Sequence, residues 1–216
     1  MSEKKMLPSI VPLLNIAETV LMPGATLPLP FNLHDYSKLK EHLNKNGPYI
    51  GITLCQQVLK DGISSVDFFT TGTLAYIKDC IPCSDNKLIL LSQGISRFNV
   101  VELFNSANGN ELAIVDYSSF PNDADLEPAT TQLDKKKVFD FLKTILNQHN
   151  ISPNWENINQ ATEHELLTTI TSFCPFSPIE KQAILEKNNP DEQLKLFMNV
   201  LEMAASPVHP LQRTIH

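Results

Sequence analysis

The sequence predicts an α+β fold: a β-rich half carrying one embedded helix, followed by an antiparallel helical bundle. Three observations carry this expectation. Short apolar runs separated by turn residues fill residues 1–120. Beyond a stretch bearing Pro121, Asn122, Asp123, Asp125 and Pro128, the hydrophobic period becomes helical. Two complete helix-start signatures then follow, at Ser177 and at Asn189.

Taken in order, residues 10–14 and 25–30 read as short extended pieces around a turn at Met22-Pro23-Gly24. Pro12, Pro28 and Pro30 lack an amide donor, so these pieces belong at sheet edges or bulges. A helix begins at Asn32 as N-cap, continues through Leu33, Tyr36, Leu39 and Leu43, and stops at Asn46-Gly47-Pro48. Strands are predicted over residues 49–55, 72–80, 87–92, 98–104 and 111–117, which suggests a small twisted barrel or a pair of sheets. In the second half, Val138, Phe141, Leu142, Ile145 and Leu146 form a core-facing stripe. A helix is expected over about 160–173. Ser177, Pro178 and Glu180 make a capping box with proline at the first helical position. Asn189 and Pro190 open the last helix, with Leu194, Phe197, Met198 and Leu201 on one face. The expected units are therefore a β subdomain at 1–120, a linker at 121–131, a helical subdomain at 132–206 and a tail at 207–216.

Composition removes several function classes. The chain is 42% hydrophobic and 19% charged, so it can bury a core. Seventeen Lys and Arg against 24 Asp and Glu leave a net charge of −7, which argues against nucleic acid as partner. None of the seven glycines precedes a lysine, so a phosphate-cradling G-x-x-x-x-G-K-[ST] loop is absent. No apolar run approaches the ~20 residues that span a bilayer. Residues 1–17 loosely imitate a secretory signal, but Pro8, Pro12 and Asn15 interrupt it. With only four cysteines, a reducing cytoplasm is the expected setting.

The motifs with chemical potential read as structural. Cys80-Ile81-Pro82-Cys83 has redox spacing, but it falls between two predicted strands, beside the hairpin-turn residues Ser84-Asp85-Asn86. His164-Glu165 starts like a zinc-protease motif, but Thr168 stands where the second histidine belongs. Asp123 and Asp125 read as solvated linker acids, and Lys135-Lys136-Lys137 as a helix-surface stripe. No catalytic residue, metal ligand or cofactor is expected.

An ordered set of motifs is similar to the Lon N-terminal (substrate-binding) domain family. Val11-Pro12-Leu13-Leu14-Asn15 and the run from Val20 through Pro23 and Gly24 to Leu29 resemble its first hairpin. Thr71-Gly72-Thr73-Leu74-Ala75-Tyr76-Ile77 resembles a "VGT-x-A-x-I" strand, and Gly94-Ile95-Ser96-Arg97-Phe98 a "G-x-x-RF" element. Ser177 to Glu186, with Lys181 and Gln182, resembles an "S-x-x-EKQ-x-LLE" helix start. The matches run in family order over residues 9–203. One departure is Phe31-Asn32-Leu33-His34-Asp35-Tyr36, which lacks the arginine of the family's "IFEPRY".

The resemblance implies a PUA-like β-barrel followed by the helical bundle. It also implies a stand-alone member, without the ATPase and Ser–Lys protease modules of Lon protease. Gly72 and Gly94 are expected where backbone approaches closely, and Arg97 is expected to pair with a carboxylate across the barrel. The function expected is a non-catalytic module for apolar polypeptide segments or a protein partner, acting without a membrane. Met22, Leu27, Phe31 and Tyr36 are its candidate contact residues. The alternative is an RNA-binding PUA-like protein, which the acidic balance disfavours.

Overall fold

A computed structural model describes residues 7–60, 63–83, 86–121, 123, 132–153 and 155–206. The chain begins with β1 (Ile10–Ala17) and β2 (Thr26–Asn32), then α1 (Leu33–Asn46). Five strands follow: β3 (Tyr49–Lys60), β4 (Ile63–Phe68), β5 (Thr71–Pro82), β6 (Lys87–Asn105) and β7 (Glu111–Asp116). The second half holds α2 (Lys135–Gln148), α3 (Trp155–Gln160), α4 (Glu163–Phe173), α5 (Pro178–Leu185) and α6 (Pro190–Ala205).

The sheet closes on itself. Its order is β1-β7-β6-β5-β3, and β1 then pairs in parallel with β3, from Leu13 opposite Gly51 to Ala17 opposite Cys55. The result is a strand ring rather than a clean barrel. β2 hangs on the first part of β6, and β4 on the far part of β3. Pro28 and Pro30 therefore sit in a strand with a neighbour on one side only.

Three elements differ from the sequence expectation. Residues 87–105 form one long strand, where two separate strands were expected. The chain continues extended through Gly94, where a Cβ would lie 2.3 Å from the Met22 carbonyl oxygen. Only glycine lets the β1–β2 loop press that closely, and Gly24 N and Gly94 N donate to Gly94 O and Ala25 O, each at 2.9 Å. β4 and α3 were not predicted, because Ile63-Ser64-Ser65-Val66-Asp67-Phe68 scarcely alternates and α3 has only six residues. Gly72 is the second close approach: a Cβ there would meet the Ile52 carbonyl oxygen at 2.5 Å.

Two buried clusters organise the interior. Val11, Leu13, Leu74, Phe98, Ala113 and Val115 fill the ring. The second cluster is continuous from Ile50, Ile52 and Leu90 of the sheet, through Val20, Leu21 and Met22 of the β1–β2 loop, to Val138, Ile145, Phe197 and Leu201 of the helices. The expected boundary near residues 121–131 is thus crossed by shared core; most of that linker and the tail at 207–216 lie outside the described residues. Helix starts follow local chemistry. Asn32 caps α1, and Ser177 with Glu180 forms the capping box of α5. Asn189 caps α6. Thr162 and Glu165 make a further capping box on α4, which gives Glu165 a local role beside His164.

Candidate functional site

Where strands meet helices, Arg97 of β6 is 6% exposed and bonded on all three guanidinium nitrogens. Its Nε donates to Asp123 Oδ2 at 2.9 Å and its Nη2 to Oδ1 at 2.6 Å, while its backbone N donates to Oδ2 at 2.7 Å. Nη1 reaches the end of α5, donating to the carbonyls of Leu185 and Lys187. Phe120 lies under the guanidinium, 4.5 Å from carbon Cζ to ring centre. Asp123, read from sequence as a solvated acid, is instead buried as the partner of this cation. A buried cation needs a buried anion, and the linker is the segment that reaches it. His164 packs nearby with its Nε2 3.2 Å from where a Gly24 Cβ would be, and that nitrogen meets no hydrogen-bond partner. Burial pushes the His164 imidazole below its usual range, against the opposing pull of Asp123, a Pro23 backbone hydrogen bond and Glu165. This junction holds the fold together and presents no open chemistry.

Two apolar clefts open beside this junction. The first, about 860 Å³, lies between the β1–β2 region and the helices: Leu14, Ile16, Leu27 and Phe31 face Ser172, Phe173 and Lys181. The second, about 820 Å³, lies among α2, α3 and α4, with Leu146, Ile151, Ile158 and Leu166 in its walls. Phe173 lines both. It stands at the end of α4, at the edge of the stripe of Leu166, Leu167, Ile170 and Cys174, and is 60% exposed. An aromatic side chain left in solvent between two apolar clefts marks a docking surface more than a folding contact.

The polar end of the first cleft is built by α4 and α5. Lys181 Nζ donates to the Ser172 carbonyl at 3.0 Å and has no carboxylate within ion-pair distance among the described residues. Burial pulls the Lys181 ammonium below its usual range. Burial also pushes the neighbouring Cys174 thiol up to about 11, so no thiolate is present near neutrality to balance the lysine. Gln182 has a different duty: it is buried and donates to the Thr71 carbonyl at 3.0 Å, pinning α5 to β5.

The four contact candidates read from sequence do not form one surface. Met22 is 1% exposed and belongs to the shared core, so it cannot meet a ligand; the aliphatic run around Pro23 covers core instead. Tyr36 is half-buried on α1 beside Cys80 and lines neither cleft. Leu27 and Phe31 do come together, in the wall of the first cleft. Strand addition at β2 is also disfavoured. Prolines in an edge strand turn their missing N–H outward, so Pro28 and Pro30 leave that edge short of donors. Sequence reasoning missed Phe173, because its i, i+4, i+7 spacing with Leu166 and Ile170 reads as a core position and its exposure is set by packing at the helix end.

The Cys80-x-x-Cys83 pair is extended. β5 continues through Pro82 and Cys83 N still donates to the Lys87 carbonyl. Three extended steps separate the Cα atoms by roughly 10 Å, beyond the ~7 Å that a disulfide tolerates. Among the described residues no group of three His, Cys, Asp or Glu could hold a metal, and no helix is long and apolar enough to cross a membrane.

Comparison with known proteins gives a consistent picture. Lon protease 2 of Myxococcus xanthus is 25% identical over 204 residues, covering 92% of this chain and 24% of the relative. Lon protease of Flavobacterium johnsoniae is 26% identical over 199 residues, covering 90% and 24% respectively. The chain thus spans about a quarter of the length of these curated relatives, and the catalytic modules lie outside the matched region. Among solved structures, the N-terminal domain of Mycobacterium avium complex Lon protease superposes with a TM-score of 0.62 at 16% identity, covering 89% of this chain and 98% of that one. The Lon N-terminal domain protein from Xanthomonas campestris gives 0.58 at 19% identity, with the same coverages. The model of the ATP-dependent protease La (LON) substrate-binding domain matches residues 10–203, and the chain belongs to that family.

Proposed function

We propose that this chain is a non-catalytic module that holds exposed apolar segments of polypeptides, and that the strand ring is its PUA-like half. The observation that carries this reading is Phe173, solvent-exposed between two apolar clefts of about 860 and 820 Å³. Each cleft accommodates one or two large side chains, and an extended segment crossing the Phe173 ridge would reach both. The family's description as a substrate-binding domain supports the same class of ligand. Binding of this kind needs neither nucleophile nor metal. The net charge of −7 works against the RNA-binding alternative.

The test is fluorescence anisotropy with a labelled unstructured peptide rich in Leu and Phe, titrated with the intact chain. Phe173→Ser is expected to weaken binding at least tenfold, a typical loss for an aromatic anchor in an apolar site. Phe31→Ser is expected to act in the same direction. Unchanged affinity in both variants would overturn the reading.

A further inference from the structure

Residues 106–110 close the hairpin between β6 and β7, and two asparagines tie its tip to α1. Ser106 N donates to the Asn110 carbonyl at 2.8 Å and Gly109 N to the Ser106 carbonyl at 2.9 Å. Ala107, Asn108 and Gly109 are left as a three-residue loop, with Gly109 at φ +77°. Asn110 Nδ2 donates to the Lys38 carbonyl at 3.0 Å. Asn108 Nδ2 donates to Glu41 Oε2, while Lys45 holds Glu41 Oε1 at 2.7 Å. Asn108 and Gly109 are both exposed, and no atom lies within 4 Å of where a Gly109 Cβ would be. Glycine after asparagine leaves the next backbone nitrogen free of side-chain obstruction in reaching the asparagine amide carbon.

We propose that Asn108 is a site of spontaneous deamidation, and that the product unties the hairpin tip from α1. The Gly109 nitrogen loses its proton to hydroxide and attacks Asn108 Cγ. A C–N bond forms, the Cγ–Nδ2 bond breaks, and ammonia leaves as water protonates Nδ2 and returns the hydroxide. Water then opens the resulting five-membered imide at either carbonyl, giving aspartate or isoaspartate. The site stands apart from both apolar clefts, beside a small polar recess of about 260 Å³ between α1 and the hairpin.

The fold governs when this happens. In the closed hairpin Gly109 N is hydrogen-bonded and Asn108 Nδ2 is held by Glu41, so the reaction waits on local opening of the tip. Afterwards position 108 no longer donates. A carboxylate faces the Glu41 carboxylate where a hydrogen bond stood, and the two repel. Opening thereby becomes one-way, with only the Asn110 contact left to hold the tip. The other Asn-Gly pair, Asn46-Gly47, is an internal control. Asn46 lies in the last turn of α1 with Nδ2 bonded to the His42 carbonyl at 3.2 Å. Gly47 is half-buried, donates to the Leu43 carbonyl at 3.0 Å, and is followed by Pro48, which stiffens the chain.

The experiment incubates the intact chain at mildly alkaline pH and maps peptide masses over time, with chromatography separating aspartate from isoaspartate. Asn108 is expected to react at least about fivefold faster than Asn46. Glu41→Ala removes the acceptor and is expected to raise the Asn108 rate about threefold, whereas Glu41→Gln keeps an acceptor oxygen and raises it less. Asn108→Asp reports the product state. Hydrogen exchange over residues 105–111 should quicken about threefold in that variant. Adding Glu41→Gln, whose amide donates to the new carboxylate, should restore it.

Equal rates at Asn108 and Asn46 in the intact chain overturn the assignment of the site. An Asn108 rate indifferent to Glu41→Ala overturns the role of the Glu41 contact. Exchange in Asn108→Asp that matches wild type, or that Glu41→Gln fails to restore, overturns the untying of the hairpin.

Discussion

Arg97 and Lys181 are two cations placed where the strands meet the helices, and they are treated in opposite ways. Arg97 has its backbone and guanidinium bonded to one carboxylate, two further carbonyls at the end of α5, and an aromatic ring beneath it. Lys181 has one carbonyl and spare donors. A cation paired inside the fold with a buried carboxylate and two carbonyls is a fastener, because removing it strands that carboxylate. A cation left with donors pointing into a cleft contributes little to the fold and is available for a ligand. The contrast assigns opposite sensitivities to the two residues.

Breaking the fastener should have the largest effect. Arg97→Met leaves Asp123 buried and unpaired and is expected to cost about 3–5 kcal/mol, read from urea denaturation. A loss below about 1 kcal/mol would mean that water or a second cation reaches Asp123, and the contrast with Lys181 would collapse. Phe197→Ala is the apolar benchmark: Phe197 is fully buried in the shared cluster, and its truncation should cost about 3–5 kcal/mol. Because that cluster also contains Ile50, Ile52 and Leu90, hydrogen exchange should show faster opening in β3 and in the helices together. Protection lost from the helices alone would favour two separately unfolding halves.

The histidine beside the fastener gives a smaller, pH-dependent effect. Burial holds the folded-state pKa of His164 below its unfolded value, so protons bind the unfolded chain more readily. Stability is therefore retained above pH ~6.5 and falls as the pH drops below it. His42, also shifted downward by burial, adds to the same slope. Thermal midpoints across pH 5–8 should decline on the acid side in wild type and decline less in His164→Gln. An unchanged slope in that variant would place the sensitivity elsewhere.

The smallest stability effects belong to the cleft. Phe173→Ser, at a side chain 60% exposed, should change stability by no more than about 0.5 kcal/mol. Lys181→Met should stay within about 1 kcal/mol, since it exchanges one hydrogen bond for relief of a desolvated charge. A loss of several kcal/mol at Lys181 would make it a second fastener and erase the contrast.

What was legible in the sequence is what acts over a few residues. Asn32, Ser177 and Asn189 announce helix starts because a short polar side chain can satisfy amides two or three positions ahead of it. Pro28 and Pro30 announce an edge strand because the missing donor belongs to the residue itself. The stripes of α2 and α6 follow from helical periodicity, and the ordered motifs carry the family. Tertiary structure decided the rest, because it depends on partners distant in the chain. Arg97 meets Asp123 across 26 positions and Leu185 across 88, so neither its burial nor that of Asp123 can be read from neighbours. The ring closes through a parallel β1–β3 pairing that spans a turn, a strand and a helix. Phe173 becomes a ridge, and Lys181 an open donor, only once α4 and α5 lie beside β1 and β2. Local rules set which groups are apolar, charged or capped; which of them are left unsatisfied depends on packing between distant segments.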